Sequence, residues 1–303
     1  MYSVLVIIVT YNGIKWLDKC LSSIYHSSIP LDIIVIDNGS IDGTQGYVNT
    51  HKQIKFIQSQ ENIGFGRANN IGFKYALDNN YEYVYLLNQD AWLMPDTLEV
   101  LINANRLYPE FGVLSPFQLQ GNGENMDVNF ASGVCSYSSN SHIINDLYFN
   151  RLAELYEVSN VMAAHWLISR DCLKKVGGFS PTFPHYGEDN NYANRVLFHG
   201  YKLGIVPRAK AVHDREFRKD SKKKMIYMSY ITNLFFMSNI HQPKTNPLLR
   251  VFVSTVIDGI KYASLMPLIN MFCILKNYRT IRRNKEISKS ENAFLVKENS
   301  LYC

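Results

Sequence analysis

Paired cysteines are missing from this chain. Its five (Cys20, Cys135, Cys172, Cys273, Cys303) are odd in number, far apart and never in a C-x-x-C. That excludes a disulfide scaffold and points to reduced thiols in a cytoplasmic protein. No basic segment precedes the short apolar run Val4 to Val9, so no secretory leader is expected. The strongly apolar stretch Tyr262 to Leu275 falls short of the roughly 18–20 residues a bilayer span needs. Internal repeats and low-complexity tracts are also absent. Charge is sparse, at 19% of residues against 47% hydrophobic, which leaves apolar material for one large core or two small ones and excludes a disordered protein. Much of the net charge of +5 is gathered in Arg215 to Lys224 and Lys276 to Lys285. Two local basic patches suit diphosphate or lipid headgroups, and no nucleic-acid partner is expected.

What is present is alternation. Val4 to Val9 and Asp32 to Ile36 are β-branched apolar runs, as strands buried on both faces should be. A weaker run covers Ile54 to Ile57, and a fourth covers Tyr83 to Leu87. Helical spacing fills Ile14 to His26 and Arg67 to Leu77, a short helix follows Thr44, and another opens at Pro95 and Asp96. This pattern predicts a mostly parallel sheet flanked by helices, with ligands bound beyond the carboxyl ends of the strands. Polar clusters stand at those ends: Thr10-Tyr11-Asn12-Gly13, Asp37-Asn38-Gly39-Ser40 and Asn88-Gln89-Asp90. From Phe111 to Tyr137 shorter strands are expected. Ser138 to Leu155 then reads as a polar loop, Tyr186 to His199 as a helix, and Lys202 to Val206 and Ala211 to Asp214 as short strands. Beyond about residue 224 apolar helices take over, Tyr227 to Ile240 and Leu248 to Tyr278.

Several residues can carry chemistry. Asp37, at a strand end, either accepts hydrogen bonds from a base or ribose or caps the next turn. Glu61 to Asn70 sets Gly64 and Gly66 at a helix start, where backbone N–H groups can approach a phosphate. A dinucleotide-binding reading of that G-x-G is disfavoured, because those glycines belong after the first strand. Asp90 suits Mg²⁺ or Mn²⁺, which substrate phosphates and water complete, or else closes a turn. Glu188 and Asp189 at a helix N-terminus are either stabilised there by the helix dipole or serve as an acid–base pair. His213 lies between a strand end and Asp214-Arg215.

The ordered series V-x-I-I-V-T-Y-N-G, I-V-I-D-N-G-S-I-D-G-T, E-N-I-G-F-G-R-A-N-N-I-G, L-L-N-Q-D, V-G-G-F, Y-G-E-D-N-N-Y-A-N-R-V and a terminal V-H resembles inverting GT-A glycosyltransferases of family 2, particularly rhamnosyltransferase-like bacterial members. The resemblance covers roughly residues 3 to 215. It implies a GT-A catalytic domain over 1–224, with a nucleotide-binding half to about 110 and an acceptor half to 224, and a helical extension over 225–303. It implies nucleotide contacts at Thr10, Asn12, Asp37, Asn62, Gly64 and Asn69, and metal contacts at Asp90 and His213. Asp189 would be the catalytic base, beside Glu188. His165 and Trp166 would be acceptor-side residues. Two departures stand out: the family's D-x-D is Asn88-Gln89-Asp90, and its E-D-x-D is Glu188-Asp189-Asn190-Asn191.

The function expected from the resemblance is transfer of a sugar, with inversion, from a nucleotide-diphosphate sugar to an acceptor hydroxyl, in cell-surface polysaccharide or lipid-linked oligosaccharide synthesis. The alternatives are a catalytically impaired sugar-nucleotide-binding protein and a sugar-nucleotide nucleotidyltransferase. The latter wants a glycine-rich basic loop after the first strand, where Thr10-Tyr11-Asn12-Gly13 stands. The apolar C-terminal stretch with its trailing basic run fits a peripheral position on the inner face of the plasma membrane, a homodimer contact, or packing on the catalytic domain.

Overall fold

The computed structural model describes residues 2–134, 142–215, 221–241 and 246–295. Cys135, Cys303, the end of the Phe111 to Tyr137 stretch, the start of the Ser138 to Leu155 stretch and the middle of the first basic run lie outside them.

The chain opens with β1 (Val4–Thr10), α1 (Ile14–Tyr25), β2 (Asp32–Asp37), α2 (Thr44–Asn49), β3 (Lys55–Gln58), α3 (Phe65–Asp78) and β4 (Tyr83–Asn88). It continues through β5 (Ala91–Leu93), α4 (Thr97–Leu107), β6 (Val113–Leu119), α5 (Val128–Val134) and α6 (Ile143–Tyr148). Next come β7 (Tyr156–Val158), β8 (His165–Ser169), α7 (Arg170–Val176), α8 (Glu188–Phe198) and β9 (Leu203–His213). Four helices close it: α9 (Lys222–Ser238), α10 (Pro247–Tyr262), α11 (Met266–Lys276) and α12 (Tyr278–Ile287).

The strands form one sheet in the order β3-β2-β1-β4-β8-β6-β9-β5, with β7 beside β9. β1 pairs in parallel with β2 and β4, so Thr10 lies opposite Asp37 and Val9 opposite Asn88. β8 runs antiparallel to β4, which brings His165 beside Leu87 at the same edge. Both faces are covered. Leu5 and Ile7 join a core under α3, α7 and α8, while Val4, Val6 and Ile8 join one under α1 and α4. Each such side chain contributes roughly 1.5–3 kcal/mol of burial, which accounts for the continuous apolar strands.

The second half departs from expectation in three places. Residues 128–134 form a helix, because Asp127 caps it by accepting the Phe130 N–H at 2.8 Å. Residues 143–148 are helical too, pinned by buried Ile143 and by Asp146, which takes bonds from Arg151 and Tyr156. The two short strands expected after residue 202 are one, β9; its partner β6 shifts register between Pro116 and Phe117, so 207–209 are skipped in the pairing.

α9 to α12 share their own apolar cluster, built on Ile231, Leu234, Met237, Val251, Ile274 and Ile281, with Phe183 reaching into it. The boundary expected at 224 falls within the first turn of α9. No helix among the described residues is long and apolar enough to cross a membrane.

Candidate active site

At the carboxyl edge, Asp37 is wholly buried, and both of its oxygens are in use. Thr10 Oγ1 donates to one at 2.9 Å, as does the Ser40 hydroxyl; the Ser40 N–H and Gln45 Nε2 donate to the other, each at 2.9 Å. Asp37 therefore organises the loop from beneath and leaves no face to a base or ribose. Asn12 adopts a left-handed φ of 49° and cross-links the loops: its N–H donates to Ser40 Oγ, and its Oδ1 accepts from Ile41 N–H. Tyr11, between them, is 47% exposed.

The middle residue of Asn88-Gln89-Asp90 clamps this loop. Gln89 Oε1 accepts the Tyr11 N–H at 2.8 Å, and Gln89 Nε2 donates to the Tyr11 carbonyl at 3.1 Å. Gly13 leaves room for this clamp, since a Cβ there would fall 2.1 Å from Gln89 Oε1 and push the glutamine aside. Sequence reasoning saw only the missing first acid, at Asn88, and gave Gln89 no role. A glutamine at a strand end, facing a glycine after another, was the available signal.

Gly64 starts α3 at φ 88°, and its Asn62 neighbour accepts the Gly64 N–H at 3.0 Å. A Cβ on Gly64 would meet the Pro184 carbonyl at 2.8 Å, so the α3 start and the loop before α8 touch through backbone. Asn69 is buried and bonds back to the Phe65 carbonyl. Asn70 holds Phe179 of the V-G-G-F turn by both backbone groups. Arg195, fully buried in α8, donates to the carbonyls of Gly178 and Val176 on that same turn. These two side chains fix the N-terminus of α8, with its acids, relative to α3.

Asp90 and His213 meet where β5 pairs with β9. Asp90 Oδ1 lies 3.4 Å from His213 Nε2. Burial works to raise the Asp90 carboxyl, but the hydrogen bond and charge of His213 win and hold it below its ordinary value. His165 sits behind, its ring 6.4 Å from that of His213 and nearly perpendicular. Because the Val212 carbonyl can only accept, His165 Nε2 carries the proton and Nδ1 accepts from the Tyr85 hydroxyl. Burial, then the nearby His213, pushes His165 down to about 3, so it is neutral.

The expected acceptor-side placement of His165 and Trp166 does not hold in this geometry. Both are 0% exposed, and Trp166 stacks in the core against Phe179 and Tyr192. On an inner strand neither alternating face reaches solvent.

Between β8, α5 and α8 opens a cleft of about 750 Å³, lined among others by Asn88, Ala164, Glu188, Asp189, Asn190 and Arg215. Asp189 is half-buried on its wall. Burial raises its carboxyl above the ordinary value, against the opposing N–H groups of Asn190 and Ala163 and the charge of Arg215. Burial pushes Glu188 up to about 7, and its Oε2 has no partner. Arg215 is oriented by buried Asp127, which accepts its Nε–H at 3.0 Å. Asn160 donates to Asn190, the variable position of the motif, while Asn191, the amide in place of the later acid, is buried.

The donor set at Asp90 and His213 fits a hard divalent ion. Two adjacent protein donors suit Mg²⁺ or Mn²⁺, with phosphate oxygens and water completing the shell. No group of three or more acids, histidines or cysteines that could hold an ion occurs among the described residues.

A mostly parallel sheet flanked by helices, with polar loops at its carboxyl edge beside a cleft walled by Asp189, is the fold of a GT-A glycosyltransferase. The chain belongs to glycosyl transferase family 2, whose model matches residues 5–177. It is 25% identical over 232 residues, 69% of itself and 75% of the relative, to an N-acetylglucosaminyl-diphospho-decaprenol L-rhamnosyltransferase of Mycobacterium tuberculosis. In fold it is similar to S. aureus TarS residues 1–349, solved with UDP-GlcNAc, at TM-score 0.56 and 13% identity over 95% of this chain and 90% of that one. It is also similar to GalNAc-T7, solved with UDP, GalNAc and Mn²⁺, at TM-score 0.58 and 14% identity, covering 78% of this chain and half of that one.

Proposed function

We propose that the chain transfers a hexose, of the rhamnose class, from a nucleotide-diphosphate sugar to a hydroxyl of a lipid-linked acceptor, with inversion. The observation that carries this reading is convergence: Asp189, Arg215 and Asn88 line one cleft, and Asn88 touches His213 of the Asp90–His213 pair at 3.5 Å. The nucleotide lies along the loop edge, its base against exposed Tyr11. Asn12, Asn62 and Gly64 border it, while Thr10, Asp37 and Asn69 hold the loops from beneath.

The acceptor oxygen forms a bond to the anomeric carbon as the bond to the diphosphate breaks on the opposite side. Asp189 takes the hydroxyl proton, which is worth typically 10²–10⁴-fold in rate, and its raised basicity suits that task. Arg215 meets the charge gathering on the leaving diphosphate. A Mg²⁺ or Mn²⁺ ion held by Asp90 and His213 would supply further positive charge there.

The relative's decaprenol-linked substrate supports a lipid-linked acceptor, and the exposed apolar helices α10 and α11 support work at the inner face of the plasma membrane. Screening UDP-, GDP- and dTDP-sugars for metal-stimulated transfer tests the reading. No transfer with any donor, or normal turnover by Asp189→Asn, would sink it.

A further inference from the structure

α10 and α11 turn their apolar faces outward. Leu249, Phe252, Val256 and Ile260 follow helical spacing along α10, and Ile269 and Phe272 continue the face on α11; all six are exposed, Ile260 by 79%. The same helices carry exposed Lys261 in the last turn of α10 and exposed Lys276 in the last turn of α11, and exposed Arg279, Arg282 and Arg283 follow on α12. Two copies meeting through this face would set these like charges against each other, whereas an anionic leaflet complements them.

Beside this face lies a second cavity, of about 490 Å³, within the range of ligand pockets. Ile226 and Tyr227 of α9 and Met266 and Asn270 of α11 form its walls, with Lys222 and Lys223 at its rim. Met266 belongs both to the cavity and to the exposed face. The thickness of α9 separates the cavity from the catalytic cleft, because Lys224 and Met228, on the opposite side of the same two turns, line that cleft.

We propose that this cavity receives the apolar chain nearest the phosphate of the lipid-linked acceptor, with Lys222 and Lys223 pairing its phosphate groups. The inference rests on the functional reading above and adds the acceptor's binding site. The chain rises from the leaflet beside Met266, the phosphates stop at the two lysines, and the sugar passes over α9 to Asp189.

The test uses the full chain and two acceptors with one sugar-diphosphate head, the first on a polyprenyl chain and the second on a short water-soluble alkyl group. Asn270→Trp fills the cavity, and the double change Lys222→Glu with Lys223→Glu reverses its rim. Asn270→Trp is expected to raise KM for the polyprenyl acceptor about tenfold or more, with KM for the donor unchanged and kinetics on the short acceptor held. The double change, since both acceptors carry the diphosphate, is expected to raise KM for both about tenfold or more with KM for the donor unchanged. Equal loss on both acceptors in Asn270→Trp, or an unchanged acceptor KM in the double change, overturns the assignment. Binding to phosphatidylcholine–phosphatidylglycerol vesicles gives the other arm. Should Asn270→Trp abolish vesicle binding while the polyprenyl KM stays put, the cavity holds bulk phospholipid, and the assignment falls. Wild-type chain that transfers to neither acceptor overturns the functional reading, and this one with it.

Discussion

Gln89 grips Tyr11 by both backbone groups, at 2.8 Å and 3.1 Å, and so joins the end of β4 to the end of β1. The middle side chain of Asn88-Gln89-Asp90, rather than the Asn88 that stands where the family has its first acid, holds the loop after β1 next to Asp90. Removing it by Gln89→Ala forfeits two hydrogen bonds of about 1 kcal/mol each, so nucleotide affinity should drop about tenfold or more with kcat less affected. Gln89→Glu keeps the acceptor but loses the donor, and should fall between. Calorimetry with nucleotide and donor KM would check both; unchanged affinity in Gln89→Ala would refute the clamp.

Asp189→Asn should lower transfer by ~10²–10⁴-fold while nucleotide binding, measured by calorimetry, persists. Because the base must be deprotonated and burial raises its carboxyl, wild-type kcat/KM should fall on the acid side at a pH above the ordinary carboxylate range. A limb at the ordinary value would assign the proton to another group.

Glu188 makes a separate prediction about folding. Its folded value of about 7 stands above the ordinary 4.5, so the native state binds the proton more tightly than the unfolded chain does. The stability it contributes is therefore fully present below about 4.5 and is lost as pH rises through about 7, on the order of 3 kcal/mol. Glu188→Gln mimics the neutral carboxyl and should raise Tm at pH 8 but not at pH 4. Equal shifts at both pH values would count against the buried carboxyl.

Chelation should abolish turnover, and Mg²⁺ or Mn²⁺ should restore it. Asp90→Ala should lose both turnover and that response, since His213 alone offers a single donor. Metal titration of the mutant's turnover decides this.

Trp166→Ala should cost ~3–5 kcal/mol of folding stability, as an emptied core site does, and Trp166→Phe far less. Denaturant unfolding measures the cost. If Trp166→Phe instead shifted acceptor KM, the tryptophan would be touching substrate after all.

The amino-acid order by itself determined the parallel half of the sheet, because strands buried on both faces must be continuously apolar and their crossovers must be helical. It also determined that the polar clusters after β1, β2 and β4 share one edge, since the ends of parallel strands lie on one side of the sheet. The positions of Asn12 and Asp90 at that edge were legible for that reason, whereas His213 was singled out by the family resemblance. Only tertiary structure decided that Asp37 points inward, that Trp166 is core and that Gln89 is a clamp. Burial and hydrogen-bond partners come from segments distant in the chain, and a local pattern cannot carry them. The outward face of α10 is the same lesson: helical periodicity marks an apolar stripe, but what that stripe meets depends on where the helix is packed.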